Sequence, residues 1–118
     1  MSRAYEQAEY DRWPSGDCRS AAMLSLEPQD FQARFGLTFR RDVDGLDYHR
    51  LAWLRLASGR QVLLIRYDGN QYPGTEVLFD AADDRPAALR ELLDALGLAD
   101  AVVTWTPEGV PPVRTAAV

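Results

Sequence analysis

The chain has 118 residues, 47% hydrophobic and 26% charged, and a formal charge of −5 at pH 7. That length fits one domain, because a second core would leave each half too small to stabilise itself, and the near-average apolar content argues against wholesale disorder. The acidity excludes a nonspecific nucleic-acid binder, which needs a concentrated basic footprint, and the longest apolar stretches, such as Val62 to Ile65, fall far short of the ~20 residues that span a bilayer.

Residues 1–24 mix charge with Pro14 and Gly16 and show little apolar period, so a flexible N-terminal arm is expected there. The folded domain is expected over 25–106, and the prolines of 107–118 predict a flexible C-terminal tail. Arg3, Glu6, Glu9 and Asp11 interrupt any apolar core of a secretory signal, and a cytoplasmic location is expected. From Glu27 to Phe35, Pro28 in the first turn, Phe31 and Phe35 at i, i+4 and Gly36 at the stop predict a helix. Leu37 to Phe39 reads as a short strand, and Asp42 to Gly45 as an acidic turn.

Residues 48–57 and 60–67 are apolar-rich runs separated by Ser58 and Gly59, which predicts a β-hairpin. With Ala57 opposite Arg60, one face carries Ala52 opposite Ile65 and Leu54 opposite Leu63. The other carries Leu51 opposite Arg66, Trp53 opposite Leu64 and Arg55 opposite Val62. After a loop over 68–74, Thr75 to Phe79 predicts a third antiparallel strand and hence a β-meander. Asp83 or Asp84 then caps a helix with Pro86 in its first turn, Leu89, Leu92, Leu93 and Leu96 on one side and Gly97 at its end. Ala101 to Trp105 is a last short strand. The expected fold class is α+β: a small antiparallel sheet, a meander of three strands plus one or two short ones, packed with two helices.

Chemistry-bearing residues are few. Cys18 is the only cysteine, so neither an intrachain disulfide nor a cysteine zinc cage can form, and all 13 basic residues are arginine. His49 is the only histidine and reads as a partly exposed strand residue. An EF-hand starting at Asp42 needs glycine at its sixth place and glutamate at its twelfth, where Asp47 and Trp53 stand. Asp42, Asp44 and Asp47 are therefore read as solvated turn residues able to meet a basic partner. Asp80, Asp83 and Asp84 suit helix capping. No nucleophile elbow, phosphate loop, dinucleotide fingerprint or zinc-protease motif occurs, so no catalytic residue, metal or cofactor is expected. Glu76 and Asp80 share one face of their strand as the carboxylates of first interest.

Tryptophan and arginine are enriched where interfaces concentrate binding energy. The face with Trp53, Arg55, Arg66, Leu51 and Leu64 is accordingly expected to be a partner surface, joined by Asp42, Asp44 and Asp47. The segments Leu46–His49, Leu54–Gly59, Arg66–Asn70, Pro73–Val77, Leu92–Leu98 and Val103–Trp105 together resemble a group of small bacterial proteins that imply no catalytic residue. In size, acidity and lack of catalytic motifs the chain is similar to immunity proteins and antitoxins that neutralise bacterial toxins. That similarity implies a noncatalytic module binding a basic protein, with no nucleic-acid or membrane partner. Two alternatives are an enzyme or ligand-binding domain with a pocket between the sheet and the 86–96 helix, using His49 or Glu76 for proton transfer, and a homodimeric structural module.

Overall fold

The computed structural model describes residues 4–109. Over these described residues the fold is α+β: a seven-stranded sheet, antiparallel at every pairing, carries two α-helices on one face. In chain order the elements are β1 (Tyr5–Ala8), β2 (Cys18–Leu24), α1 (Pro28–Phe35), β3 (Arg40–Asp44), β4 (Asp47–Leu56), β5 (Gln61–Tyr67), β6 (Thr75–Asp80), α2 (Arg85–Leu96) and β7 (Val103–Trp105). Across the sheet the order is β1, β4, β5, β6, β2, β7. β3 shares the outer edge of β4 with β1, one strand taking each half. The Gln7 side-chain amide closes the seam between them, donating to the Thr38 carbonyl at 2.6 Å and accepting from its N–H at 2.8 Å. Among the described residues no helix is long and apolar enough to cross a membrane.

The expected N-terminal arm is overturned, because residues 5–8 and 18–24 are strands within the sheet. Their pattern hides them. β1 is four residues of mixed polarity, and β2 has a register shift between Ser20 and Ala22, so Ala21 to Leu24 are buried consecutively rather than alternately. At the other end, Thr106 to Gly109 form a tight turn; the rest of the expected tail lies outside the described residues.

Both helices follow their caps. The Asp30 carboxylate accepts the Glu27 N–H at 2.8 Å, and Phe31 is fully buried. The Asp84 carboxylate accepts the Ala87 N–H at 3.2 Å, which selects Asp84 over Asp83 as the cap. Ala88, Leu92, Leu93 and Leu96 then pack on Leu54, Leu56, Val62, Leu64, Val77 and Phe79 to form the main core. Arg60 ties the β4–β5 turn to α2, lying 2.6 Å from Glu91 and 3.7 Å from Asp83. Burial pushes both carboxyls up. At Glu91 the Ser58 hydroxyl and Arg60 outweigh it and the net shift is downward, while at Asp83, farther from the guanidinium, burial prevails.

The hairpin is present but its register is one residue away from that expected. Leu56, not Ala57, meets Arg60: the Leu56 N–H donates to the Arg60 carbonyl at 3.0 Å, leaving a three-residue loop that ends on Gly59 at φ +92°. Trp53 therefore stands opposite Leu63, Ala52 opposite Leu64, Leu54 opposite Val62 and Arg50 opposite Arg66. Since side chains alternate with period two, the slip moves Leu64 and Arg66 to the face opposite Trp53.

The expected strand at Leu37 to Phe39 is also displaced. Leu37 is buried in the main core, the Phe39 ring lies 6.0 Å from that of Phe31, and the strand begins at Arg40. Asp42 and Asp44 are thus strand residues, and the turn is Gly45 and Leu46. β3 is exposed along its whole length, so no apolar alternation announces it.

Candidate functional site

The sheet face away from the helices carries a second, smaller core of Leu51, Trp53 and Ile65, flanked by Leu63, Tyr67 and Leu78. The segment between β1 and β2 crosses it as a strap. The Tyr10 ring meets Trp53 edge-on at 5.5 Å between centroids, and the Trp13 ring lies at 4.8 Å. Trp53 is consequently 8% exposed, so the expected open partner surface is closed by the chain itself. Arg55 stays at its border, paired with Glu6 directly across in β1. Leu51 is buried with Trp53, and Leu64 is wholly buried in the main core.

Asp80 anchors the strap. Its carboxylate accepts the Ser15 N–H at 2.8 Å and the Ala82 N–H at 2.9 Å. The Ser15 bond, aided by that of Ala82, outweighs desolvation and holds the carboxyl below its usual 3.8. A carboxyl depressed in the folded state contributes stability above its unfolded value, and that contribution is lost as pH falls through the folded value. Tryptophan fluorescence is therefore expected to shift red, as the strap loosens over Trp53, when pH drops below 3.8. In Asp80→Ala the red shift is expected already at neutral pH, with no further acid step. Wild-type and Asp80→Ala spectra that coincide at every pH would exclude an anchoring role.

Arg66 has a different task from the one expected. Its guanidinium donates to the carbonyls of Asn70, Tyr72 and Gly74, and its Nε lies 3.8 Å from a Glu27 carboxylate oxygen. Glu27 in turn accepts the Gly74 N–H at 3.1 Å. Arg66 and Glu27 together clamp the 68–74 loop onto the start of α1. With its side chain 15% exposed, Arg66 is a fastening of the fold rather than part of an open surface.

The β3–β4 hairpin presents what the Trp53 face does not. Cross-strand neighbours share a face, so Asp42, His49 and Tyr67 form a row on the strap side, and Arg41, Arg50 and Arg66 form the adjacent row on the helix side. Beyond them Asp44 and Asp47 end the strap-side row, while Val43 and Tyr48 end the other. Val43, Tyr48 and, at the turn, Leu46 are all exposed, Leu46 at 96%. Arg41 bonds to Asp68 at 2.7 Å and lies 5.0 Å over the Tyr48 ring, which stiffens the base of the hairpin. Exposed Tyr72 stands on the neighbouring 68–74 loop. Asp42, Asp44 and Asp47 are exposed as expected, whereas Val43, Leu46 and Tyr48 were not singled out by sequence, although Leu46 directly after Gly45 was a visible signal.

No family model, curated protein or solved structure matches this chain.

The remaining polar residues occupy structural positions. His49, expected to be partly exposed, is 6% exposed; its ring packs 5.0 Å from Tyr67 and its Nδ1 has no hydrogen-bond partner among the described residues. Burial raises the Tyr67 phenol, and Asp44, Glu76 and Asp47 raise it further. Burial, with Asp17, Glu76 and Asp80, likewise raises the Cys18 thiol against a hydrogen bond from Trp13, so Cys18 stays protonated and weakly nucleophilic at neutral pH. Beside α2 there is a groove of about 540 Å³, near the expected pocket. His49 and Glu76 lie on the other side of the sheet, sharing a face with Tyr67 and Ile65, and neither lines it.

Proposed function

We propose that the protein is a noncatalytic binding module, of the kind represented by immunity proteins and antitoxins, that engages a basic protein through its β3–β4 hairpin. The observation that carries this is the hairpin's composition: Val43, Leu46 and Tyr48 are exposed, and Asp42, Asp44 and Asp47 occupy its other face and its end. Each apolar side chain gains about 1.5–3 kcal/mol when fully withdrawn from water, and the aspartates select a positively charged site and speed encounter with it. A ribbon with apolar side chains on one face and carboxylates on the other fits a cleft, where both faces are covered, better than a flat surface. Trp53, Leu51, Leu64 and Arg66 drop out of the contact surface, and Arg55 stands outside it.

Affinity capture from the native cell, followed by mass spectrometry, tests this with three baits. The wild type is expected to retain a stoichiometric basic protein. Leu46→Asp and the triple change Asp42→Asn, Asp44→Asn, Asp47→Asn are expected to lose it while keeping wild-type stability within about 0.5 kcal/mol, because all these residues are exposed. Identical capture by all three baits, or no stoichiometric protein on the wild type, would remove the hairpin from the account.

A further inference from the structure

Among the described residues, each half-buried arginine except one lies against a carboxylate. Arg60 is 2.6 Å from Glu91, Arg66 3.8 Å from Glu27, Arg85 2.9 Å from Glu108 and Arg90 2.5 Å from Asp100. Arg50 is half-buried as they are, yet its guanidinium makes neither an ion pair nor a hydrogen bond among the described residues. Its cross-strand neighbours add to the cost. Arg41 of β3 and Arg66 of β5 stand directly opposite it on strands about 4.8 Å away, and like charges in that position destabilise a sheet. The two outer arginines have their own carboxylates, Asp68 and Glu27, while the middle one has none. A cation partly withdrawn from water without a partner costs the fold stability, and residues that break a local rule with no compensation inside the fold mark functional positions. Arg50 is so placed: exposed Tyr48 follows it on the same face of β4, about 7 Å along the strand, with exposed Val43 opposite Tyr48.

We propose that Arg50 receives a carboxylate side chain of the protein that the hairpin engages, so that the cleft it enters is bipolar. One wall is basic and faces Asp42, Asp44 and Asp47; the other is apolar where it meets Val43 and Tyr48 and carries an aspartate or glutamate where it meets Arg50. The inference rests on the hairpin reading above and supplies the chemistry of the second wall. The planar fork of a guanidinium matches a carboxylate with two parallel hydrogen bonds, and the match is made in full only on binding, since the free protein offers Arg50 no acceptor among the described residues. Opposite charges on the two faces also fix the orientation of the ribbon, because a reversed entry would set like charges against each other on both walls.

The test compares the wild type with Arg50→Met, which keeps the apolar stem and removes the charge. In urea, Arg50→Met is expected to unfold at a concentration at least as high as the wild type, because the repulsion from Arg41 and Arg66 is gone; a lower midpoint would make Arg50 a fastening of the fold and overturn the proposal. The protein retained by the wild-type bait is then purified and titrated calorimetrically. Its affinity for Arg50→Met is expected to fall at least about tenfold, as for a close charge pair across an interface. With Arg50→Glu, binding is expected to be restored by changing one aspartate or glutamate of the captured protein to arginine. If the triple asparagine variant loses the captured protein while Arg50→Met binds it as the wild type does, the bipolar cleft fails and the hairpin reading stands. If the wild type retains nothing, or the triple variant retains the same protein, the hairpin reading fails and this inference with it. Saturation of Arg50 by inorganic phosphate alone at submillimolar concentration, followed by its side-chain NMR signal, would assign the position to a free anion and likewise overturn the proposal.

Discussion

Replacing Trp53 with alanine is expected to lower the free energy of unfolding by about 3–5 kcal/mol, the usual cost of deleting a large buried aromatic side chain. The indole fills the centre of the smaller core, with Tyr10 and Trp13 resting on it from the strap and Leu51, Ile65 and Leu63 beside it on the sheet. Its removal opens a cavity and takes away the surface that holds the strap, so the loss extends to the ring contacts made by two further aromatics. Urea unfolding followed by far-ultraviolet circular dichroism measures it. A Trp53 side chain serving mainly a partner would instead leave stability within about 0.5 kcal/mol of wild type, as exposed substitutions do, and that result would return the residue to the surface. Trp53→Phe retains an aromatic filling and is expected to recover more than half of the loss.

Arg66→Ala is expected to cost about 2–4 kcal/mol, for a reason unrelated to apolar burial. The guanidinium satisfies the Asn70, Tyr72 and Gly74 carbonyls, and its removal strands them together with Glu27. The ion pair itself contributes modestly, since the atoms are 3.8 Å apart and Glu27 keeps contact with water. Most of the effect therefore lies in the planar fork of donors. Arg66→Lys retains the charge but not that geometry and is expected to recover less than half. Hydrogen exchange localises the change: amides of residues 68–74, with Gly74 first because it depends on Glu27, are expected to lose protection while those of β1 do not. Unchanged stability in Arg66→Ala would mean that the 68–74 loop holds itself.

The two substitutions also separate what local pattern carries from what it does not. Both helices were legible because their signals are short-range: Pro28 and Gly36 bracket α1, and Asp84, Pro86 and Gly97 bracket α2. The strands from Tyr48 to Leu56, Gln61 to Tyr67 and Thr75 to Phe79 were legible from apolar runs divided by turn residues. β1, β2 and β3 were not, since β1 is short, β2 is irregular at Ala21 and β3 is exposed throughout. Of the candidate surface, the exposed aspartates were readable from composition. The apolar residues beside them gained significance only once the hairpin stood out from the sheet with Val43, Leu46 and Tyr48 in solvent.

The sequence alone determined the α+β class, the acidity, the two capped helices, and the connection of two apolar strands through Ser58 and Gly59. Tertiary structure decided the rest of the site, and the reason is the period of a β-strand. A single residue in the β4–β5 loop sets whether Arg66 and Leu64 share a face with Trp53, and an apolar run alone does not count that residue. Tyr10 and Trp13 cover Trp53 from 43 and 40 positions away, through contacts that leave no mark on the local pattern. The face that composition offered to a partner is therefore closed, and the exposed chemistry moves to the hairpin beside it.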